Sequence, residues 1–306
     1  MNSRLRGVFA PVLTPFKEGL EPDVERFIAH CRWLISQQVN LAIFGTNSES
    51  ASLSVDERIA MTDAILQADI PAERLMPGTG GCSITDAIRL TRHAVDSGAS
   101  GVLMLPPFYF KGVSDEGLFA YYAEVIERVA SDRLKIYLYH IPQLTQVPIT
   151  LNLIAMLRTR YPDTVVGAKD SSGNWDNTRA MLEHFAKDGF DVFPASESLL
   201  SRALPLGATG CISATVNVNP AGIQAVYEGW NGPQGRVLQA KADVIRNIFQ
   251  ATAMIPAMKR VVAEFSKQPS WRVVRPPLCA LSDAAAGDLL RMLAEAGFDM
   301  PGYPKI

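Results

Sequence analysis

Residues 167–173 read Gly-Ala-Lys-Asp-Ser-Ser-Gly and follow the apolar pair Val165-Val166, which puts Lys169 near the end of a buried strand. Lysine is seldom fully buried without a partner. Taken alone, Lys169 reads either as a solvated charge at a strand end or as an amine held in a pocket, and Tyr139 reads as a packed core tyrosine. An amine in an apolar pocket gives up its proton more readily and attacks a carbonyl to form a Schiff base. The iminium is then an electron sink for making or breaking a carbon–carbon bond. Each step needs a proton carrier, and Tyr139 stands 30 residues before Lys169, one strand-plus-helix period. With Thr46 and Tyr109 at or just beyond other strand ends, the set points to covalent catalysis.

The elements that must carry these residues are legible as apolar runs. They cover 7–16, 41–46, 74–80, 101–107, 135–141, 165–170, 191–197 and 210–217. Each is nearly continuous in Val, Ile, Leu and Phe, as expected of strands buried on both faces. Amphipathic helical segments lie between them. Ser54 stands three residues before Glu57, the spacing of a capping box. Leu118, Tyr122, Val125 and Val129 recur at helical spacing within 115–130. Eight such units predict a parallel α/β fold, and their spacing suits a TIM (β/α)8 barrel over residues 1–230 better than a doubly wound sheet. No GxGxxG follows the first strand, and Gly78-Thr79-Gly80-Gly81-Cys82-Ser83 only begins like that fingerprint. The break Gly229-Trp230-Asn231-Gly232-Pro233-Gln234-Gly235 precedes a C-terminal helical extension, 231–306, with helices near 236–268 and 283–297 and no linker to detach it.

In such a barrel the active site gathers at the C-terminal ends of the strands. That rule collects Thr46 and Asn47, Tyr109, Tyr139, Lys169 with Ser171, Ser196 with Glu197, and Ile212. His30, His93 and His184 fall in helical segments, so no metal site is expected. Cys31, Cys82, Cys211 and Cys279 form no CxxC pair. The composition, 48% hydrophobic and 20% charged, is that of a globular protein. A net charge of −2 argues against a nucleic-acid surface. Without an apolar signal core or a run of about 18 apolar residues, no membrane segment is expected. The reading is of a soluble, cytoplasmic protein with reduced thiols.

In order and spacing, Gly45-Thr46-Asn47-Ser48-Glu49-Ser50, Tyr139-His140-Ile141-Pro142 and Gly167 to Gly173 resemble the dihydrodipicolinate synthase / N-acetylneuraminate lyase superfamily of class I, pyruvate-dependent aldolases. The resemblance covers nearly the whole chain. It implies that Lys169 forms the Schiff base with pyruvate and that Tyr139 is the general acid/base. Thr46 would relay protons between Tyr139 and Tyr109, with Tyr109 reaching in from a neighbouring subunit. Thr46 and Asn47 would hold the pyruvate carboxylate and Ile212 would contact pyruvate. It also implies a homotetramer built as a dimer of dimers, with no metal or organic cofactor.

Three departures from the family pattern bear on substrate. Asn47-Ser48 stands where the family usually reads Thr-Gly, and His140 where it reads Asn. Dihydrodipicolinate synthases carry an arginine two residues after the proline of Tyr-Asn-Val-Pro, to bind the second substrate's carboxylate; this chain has Leu144 there. Leucine offers no bidentate fork. Glu197 is followed by Ser198, whereas the sialic-acid lyases carry an acidic pair. Ser171, Ser196, Glu197 and Leu144 would line the aldehyde side, with Phe108 and Phe110. The leading expectation is a lyase releasing pyruvate from a 4-hydroxy-2-oxo or 2-keto-3-deoxy acid. The same iminium also serves dehydration or deamination. A 4-hydroxy-tetrahydrodipicolinate synthase would need Arg158, Arg179 or Arg202 to reach the site, and a pure binding protein would not need Tyr139 beside Lys169.

Overall fold

The computed structural model describes residues 4–305. The chain forms two compact units: one contains Pro71–Ile212, and the other contains Gly7–Ile70 with the chain from Ser213 onward.

In the unit of residues 71–212 the strands β3 (Val102–Met104), β4 (Ile136–His140), β5 (Val165–Asp170) and β6 (Asp191–Pro194) lie side by side in that order, all parallel. A further strand, β7 (Gly210–Ile212), follows β6, and Thr209 donates its N–H to the Val192 carbonyl at 3.0 Å. One sheet face carries Val102, Met104, Leu138, Ala168 and Val192. It packs against apolar faces of the helices Ile84–Asp96, Asp115–Val129 and Leu151–Arg160, through Ile88, Val95, Tyr122, Val125, Leu153 and Leu157. Such burial stabilises the packing of helices on the sheet by roughly 25 cal/mol per Å² of apolar surface.

The apolar run at 74–80 forms no strand of its own. It contributes one bridge, Gly78 to Leu103, with the Leu103 N–H on the Pro77 carbonyl and the Thr79 N–H on the Leu103 carbonyl. The physical reasons are local. Pro77 has no N–H to give a ladder, and at Gly80 the backbone of Leu105 comes so near that a Cβ would sit 2.1 Å from its nitrogen.

In the other unit β1 (Gly7–Ala10) pairs in parallel with β2 (Asn40–Leu41). The helix Val24–Ser36 between them is capped by Asp23, whose side chain accepts the Arg26 N–H. The capping box at Ser54 forms as its sequence predicts: the hydroxyl accepts the Glu57 N–H at 3.1 Å and the Glu57 carboxylate accepts the Ser54 N–H at 2.8 Å. The segment read as helix over 236–268 is two helices, Gly235–Gln250 and Met254–Ser266. Pro256 lacks an N–H and its ring would strike the carbonyl four residues back, so it is tolerated only in a first turn, and the helix restarts just before it. A last helix covers Asp283–Glu295. Among the described residues no helix is long and apolar enough to cross a membrane.

Candidate active site

The C-terminal ends of β4 and β5 bring Tyr139 and Lys169 together. The two are register partners across the parallel pair, so alternation sends both side chains to the same face, away from the helices. Lys169 is 2% exposed. Its Nζ lies 3.3 Å from the Tyr139 hydroxyl oxygen and 4.4 Å from the centre of the same ring. On the other side Lys169 is in register with Phe193 of β6.

The layer beneath explains the glycine in Gly-Ala-Lys. Gly167 is in register with Tyr137 and Asp191. A Cβ there would lie 2.5 Å from the Tyr137 ring and from the Asp191 carbonyl. Gly167 thus leaves room for Tyr137, whose hydroxyl donates to Asp191 at 3.2 Å. The Lys169 layer follows two residues further along the strands.

The next residues of the two strands, Asp170 and His140, form a support. Asp170 accepts the Thr178 hydroxyl at 2.6 Å and the Ser172 N–H at 2.9 Å. His140, its register partner, is 4.0 Å from Asp170 through Nε2. His140 Nδ1 accepts the Ile149 N–H at 2.9 Å, which leaves the proton on Nε2. Burial lowers the pKa of His140, with Asp170 opposing. His140 is therefore a neutral acceptor that fastens the chain after the turn carrying Leu144.

That turn is the short helix Pro142–Thr145. Leu144 is 60% exposed. Gln143 reaches across to donate to the Ser171 carbonyl at 2.6 Å, and the Ser171 N–H donates to the His140 carbonyl at 2.7 Å. The turn that carries Leu144 is thus tied to Ser171 at the neighbouring strand end. Lys111 fastens the turn from another side, donating to the Thr145 carbonyl at 2.7 Å and to that of Phe108. Sequence reasoning passed over Gln143 and Lys111, which carry only the signal of standing beside Leu144 and Tyr109. Beyond β6, the Ala195 N–H bonds the Asp170 carbonyl at 2.9 Å. Ser196 caps its own turn through the Ser198 N–H, and Glu197 is wholly buried. Ile212 ends β7, also wholly buried.

Tyr109 goes elsewhere. It is 74% exposed, with its ring against Phe110 at 5.5 Å edge-to-face. The three arginines named for a second carboxylate each have another partner. Arg158 donates to the Asp188 carbonyl, Arg179 pairs with Asp176, and Arg202 lies 3.9 Å above the Trp175 ring.

Thr46 and Asn47 belong to the other unit, in the 3-10 turn Thr46–Ser48 that follows β2. Both are half-buried. Ser48 is fully buried; its hydroxyl donates to the Val12 carbonyl and its own carbonyl accepts the Thr14 hydroxyl at 2.8 Å. The Asn47-Ser48 departure therefore spends the serine on fixing the turn and leaves the carboxamide nearer the surface.

The dihydrodipicolinate synthetase family profile matches residues 4–296. An uncharacterised DapA-like lyase of Chloroflexus aurantiacus is 32% identical over 281 residues, 91% of this chain and 92% of that protein. A 4-hydroxy-tetrahydrodipicolinate synthase of Methanothrix thermoacetophila is 29% identical, covering 96% of this chain and 99% of its own. The crystal structure of dihydrodipicolinate synthase from Agrobacterium tumefaciens superposes with a TM-score of 0.88 at 29% identity, over 95% of this chain and 99% of that one.

Proposed function

The chain belongs to the dihydrodipicolinate synthetase family, and we propose that it is a lyase that works through a Schiff base on Lys169, releasing pyruvate from a 4-hydroxy-2-oxo or 2-keto-3-deoxy acid. The observation that carries this is the buried Lys169 amine 3.3 Å from the Tyr139 hydroxyl. The Lys169 amine attacks the 2-oxo carbon, and the Tyr139 phenol gives its proton to the departing hydroxyl, so that loss of water leaves the iminium and a phenolate. The phenolate takes the proton of the 4-hydroxyl, the C3–C4 bond breaks, and its electron pair flows into the iminium. The aldehyde leaves, Tyr139 returns that proton to C3 of the enamine, and water adds to the resulting iminium, gives its proton to the Tyr139 phenolate and releases pyruvate from Lys169. The iminium supplies the electron sink, so the reaction needs no metal or organic cofactor.

In this reading Thr46 and Asn47 bind the 2-oxo acid's carboxylate, Thr46 relays protons between Tyr139 and Tyr109, and Ile212 bounds the pyruvate pocket. Ser171, Ser196, Glu197 and Leu144 line the aldehyde side. The reading includes an eight-unit (β/α)8 barrel over 1–230 with a C-terminal helical extension over 231–306. It also includes a homotetramer in which the exposed Tyr109 enters a neighbour's site, and a cytoplasmic location. A second reading, 4-hydroxy-tetrahydrodipicolinate synthase, is favoured by the names of several relatives. Leu144 and the occupied Arg158, Arg179 and Arg202 weigh against it. Borohydride treatment in the presence of pyruvate should leave a reduced adduct on Lys169, read by mass spectrometry. Unmodified Lys169 would overturn the Schiff-base assignment.

A further inference from the structure

Glu49 closes the turn that carries Thr46 and Asn47, and its side chain leaves that turn for distant parts of the sequence. The Glu49 N–H bonds the Thr46 carbonyl at 3.0 Å. One carboxylate oxygen accepts Lys259 Nζ at 2.6 Å, and the other accepts the backbone N–H of Arg275 at 2.9 Å. Glu49 and Lys259 are both buried, Lys259 completely. The Phe16 ring lies 4.5 Å from the Lys259 amine and 4.7 Å from the Arg275 guanidinium. Arg275 in turn grips Glu57 through both guanidinium nitrogens and donates to the carbonyls of Ser52 and Leu20.

We infer that Glu49, held by Lys259 and Arg275, is a positioning residue that sets the Thr46–Asn47 turn to receive the 2-oxo acid's carboxylate. The inference rests on the lyase reading of the site.

Two physical arguments support it. Glu49 has φ of 55°. A residue with a Cβ in the left-handed region is strained and stays there only when its surroundings hold it. The surroundings here are the two anchors on its carboxylate. Released from them, Glu49 is free to return to negative φ, and that rotation re-aims the turn before it. The second argument is energetic. A buried ion pair is often no more stabilising than apolar groups of the same size, because both charges must be stripped of water. What the pair adds is direction: each carboxylate oxygen has one fixed donor, from the helix Met254–Ser266 and from the segment at Arg275. The C-terminal segment thus serves the Thr46–Asn47 turn.

The anchor also titrates. Burial lowers the pKa of Lys259 to about 8, with the Glu49 carboxylate opposing and the Arg275 charge adding to the fall. Glu49, Arg275 and, beyond Arg275, Glu57 are the charged groups that face it. Above about pH 8 the amine turns neutral and the Glu49 anchor weakens.

The test measures borohydride trapping of pyruvate on the full chain as a function of pyruvate concentration and pH. In Lys259→Met the half-saturating pyruvate should rise about tenfold or more, the equivalent of one lost charged hydrogen bond, with trapping at saturation equal to the wild type. In the wild type the half-saturating concentration should climb several-fold between about pH 7 and pH 9. Lys259→Arg, whose guanidinium stays charged, should flatten that climb. If Lys259→Met traps with the wild-type half-saturation, the positioning role is overturned. If that variant does not fold, a Lys259→Arg profile that climbs as the wild type does overturns it equally. A wild type that traps no pyruvate at any concentration instead overturns the lyase reading itself.

Discussion

The amine of Lys169 and the phenol of Tyr139 stand 3.3 Å apart because the two residues are register partners on adjacent parallel strands. Neither depends on a flexible loop for its place. In the lyase reading the pair exchanges a proton, with one strand spacing setting the distance.

Removing the hydroxyl alone tests that exchange. Tyr139→Phe keeps the ring against which Nζ lies at 4.4 Å, so the core and the Lys169 position should hold. Pyruvate release from a 4-hydroxy-2-oxo acid should fall by roughly 10²–10⁴, the usual effect of losing a general acid/base. The circular dichroism spectrum should not change. Unaltered turnover would take Tyr139 out of the mechanism.

Leu144 offers the test of substrate class. Its side chain is 60% exposed on a turn fastened by Gln143 and Lys111, and exposed substitutions usually shift stability by no more than about 0.5 kcal/mol. Leu144→Arg should thus fold normally while adding a carboxylate fork on the turn that Gln143 ties to Ser171. A hydrogen bond to a charged group is worth about 1.5–3 kcal/mol, so kcat/KM for condensing pyruvate with aspartate semialdehyde should rise by about 10- to 100-fold. Should the unmodified protein already condense that pair efficiently, Leu144 does not exclude it and the synthase reading gains.

The features read correctly in the sequence are those set by local pattern. The capping box at Ser54 needs only three residues of context, and the Tyr139–Lys169 pairing follows once each apolar run is taken to end at the same layer. The run at 74–80 misled because hydrophobicity does not report hydrogen-bonding capacity, and Pro77 and Gly80 reduce it to one bridge. Glu49 was visible as a motif residue, but its partner Lys259 lies 210 positions away. The one signal for Lys259 was its place on the apolar face of its helix, in step with Ile255 and Val262. His140 likewise could be assigned only when Ile149 was seen to donate to it.

His30 gives a prediction about acid stability. It is wholly buried, between the Trp33 and Trp271 rings. Asn217 holds its carboxamide oxygen toward the Leu13 N–H and its amide toward the Pro11 and Ala214 carbonyls. That orientation makes His30 Nε2 the donor to Asn217 at 3.1 Å, and Nδ1 the acceptor of the Tyr303 hydroxyl at 3.0 Å. Burial lowers the His30 pKa from 6.5 to about 4, with the Asn217 bond opposing. Between those values the unfolded chain binds the proton and the folded chain does not. The stability His30 contributes is therefore fully present above about pH 6.5. It is lost as pH falls towards 4, at about 1.4 kcal/mol per pH unit and up to about 3 kcal/mol in all. His30→Gln keeps a donor and an acceptor but cannot titrate. Denaturant unfolding should show the wild type more stable than this variant at neutral pH, with the gap narrowing by about 1–3 kcal/mol by pH 4. A gap independent of pH would mean that His30 takes up its proton as readily in the folded protein as in the unfolded chain.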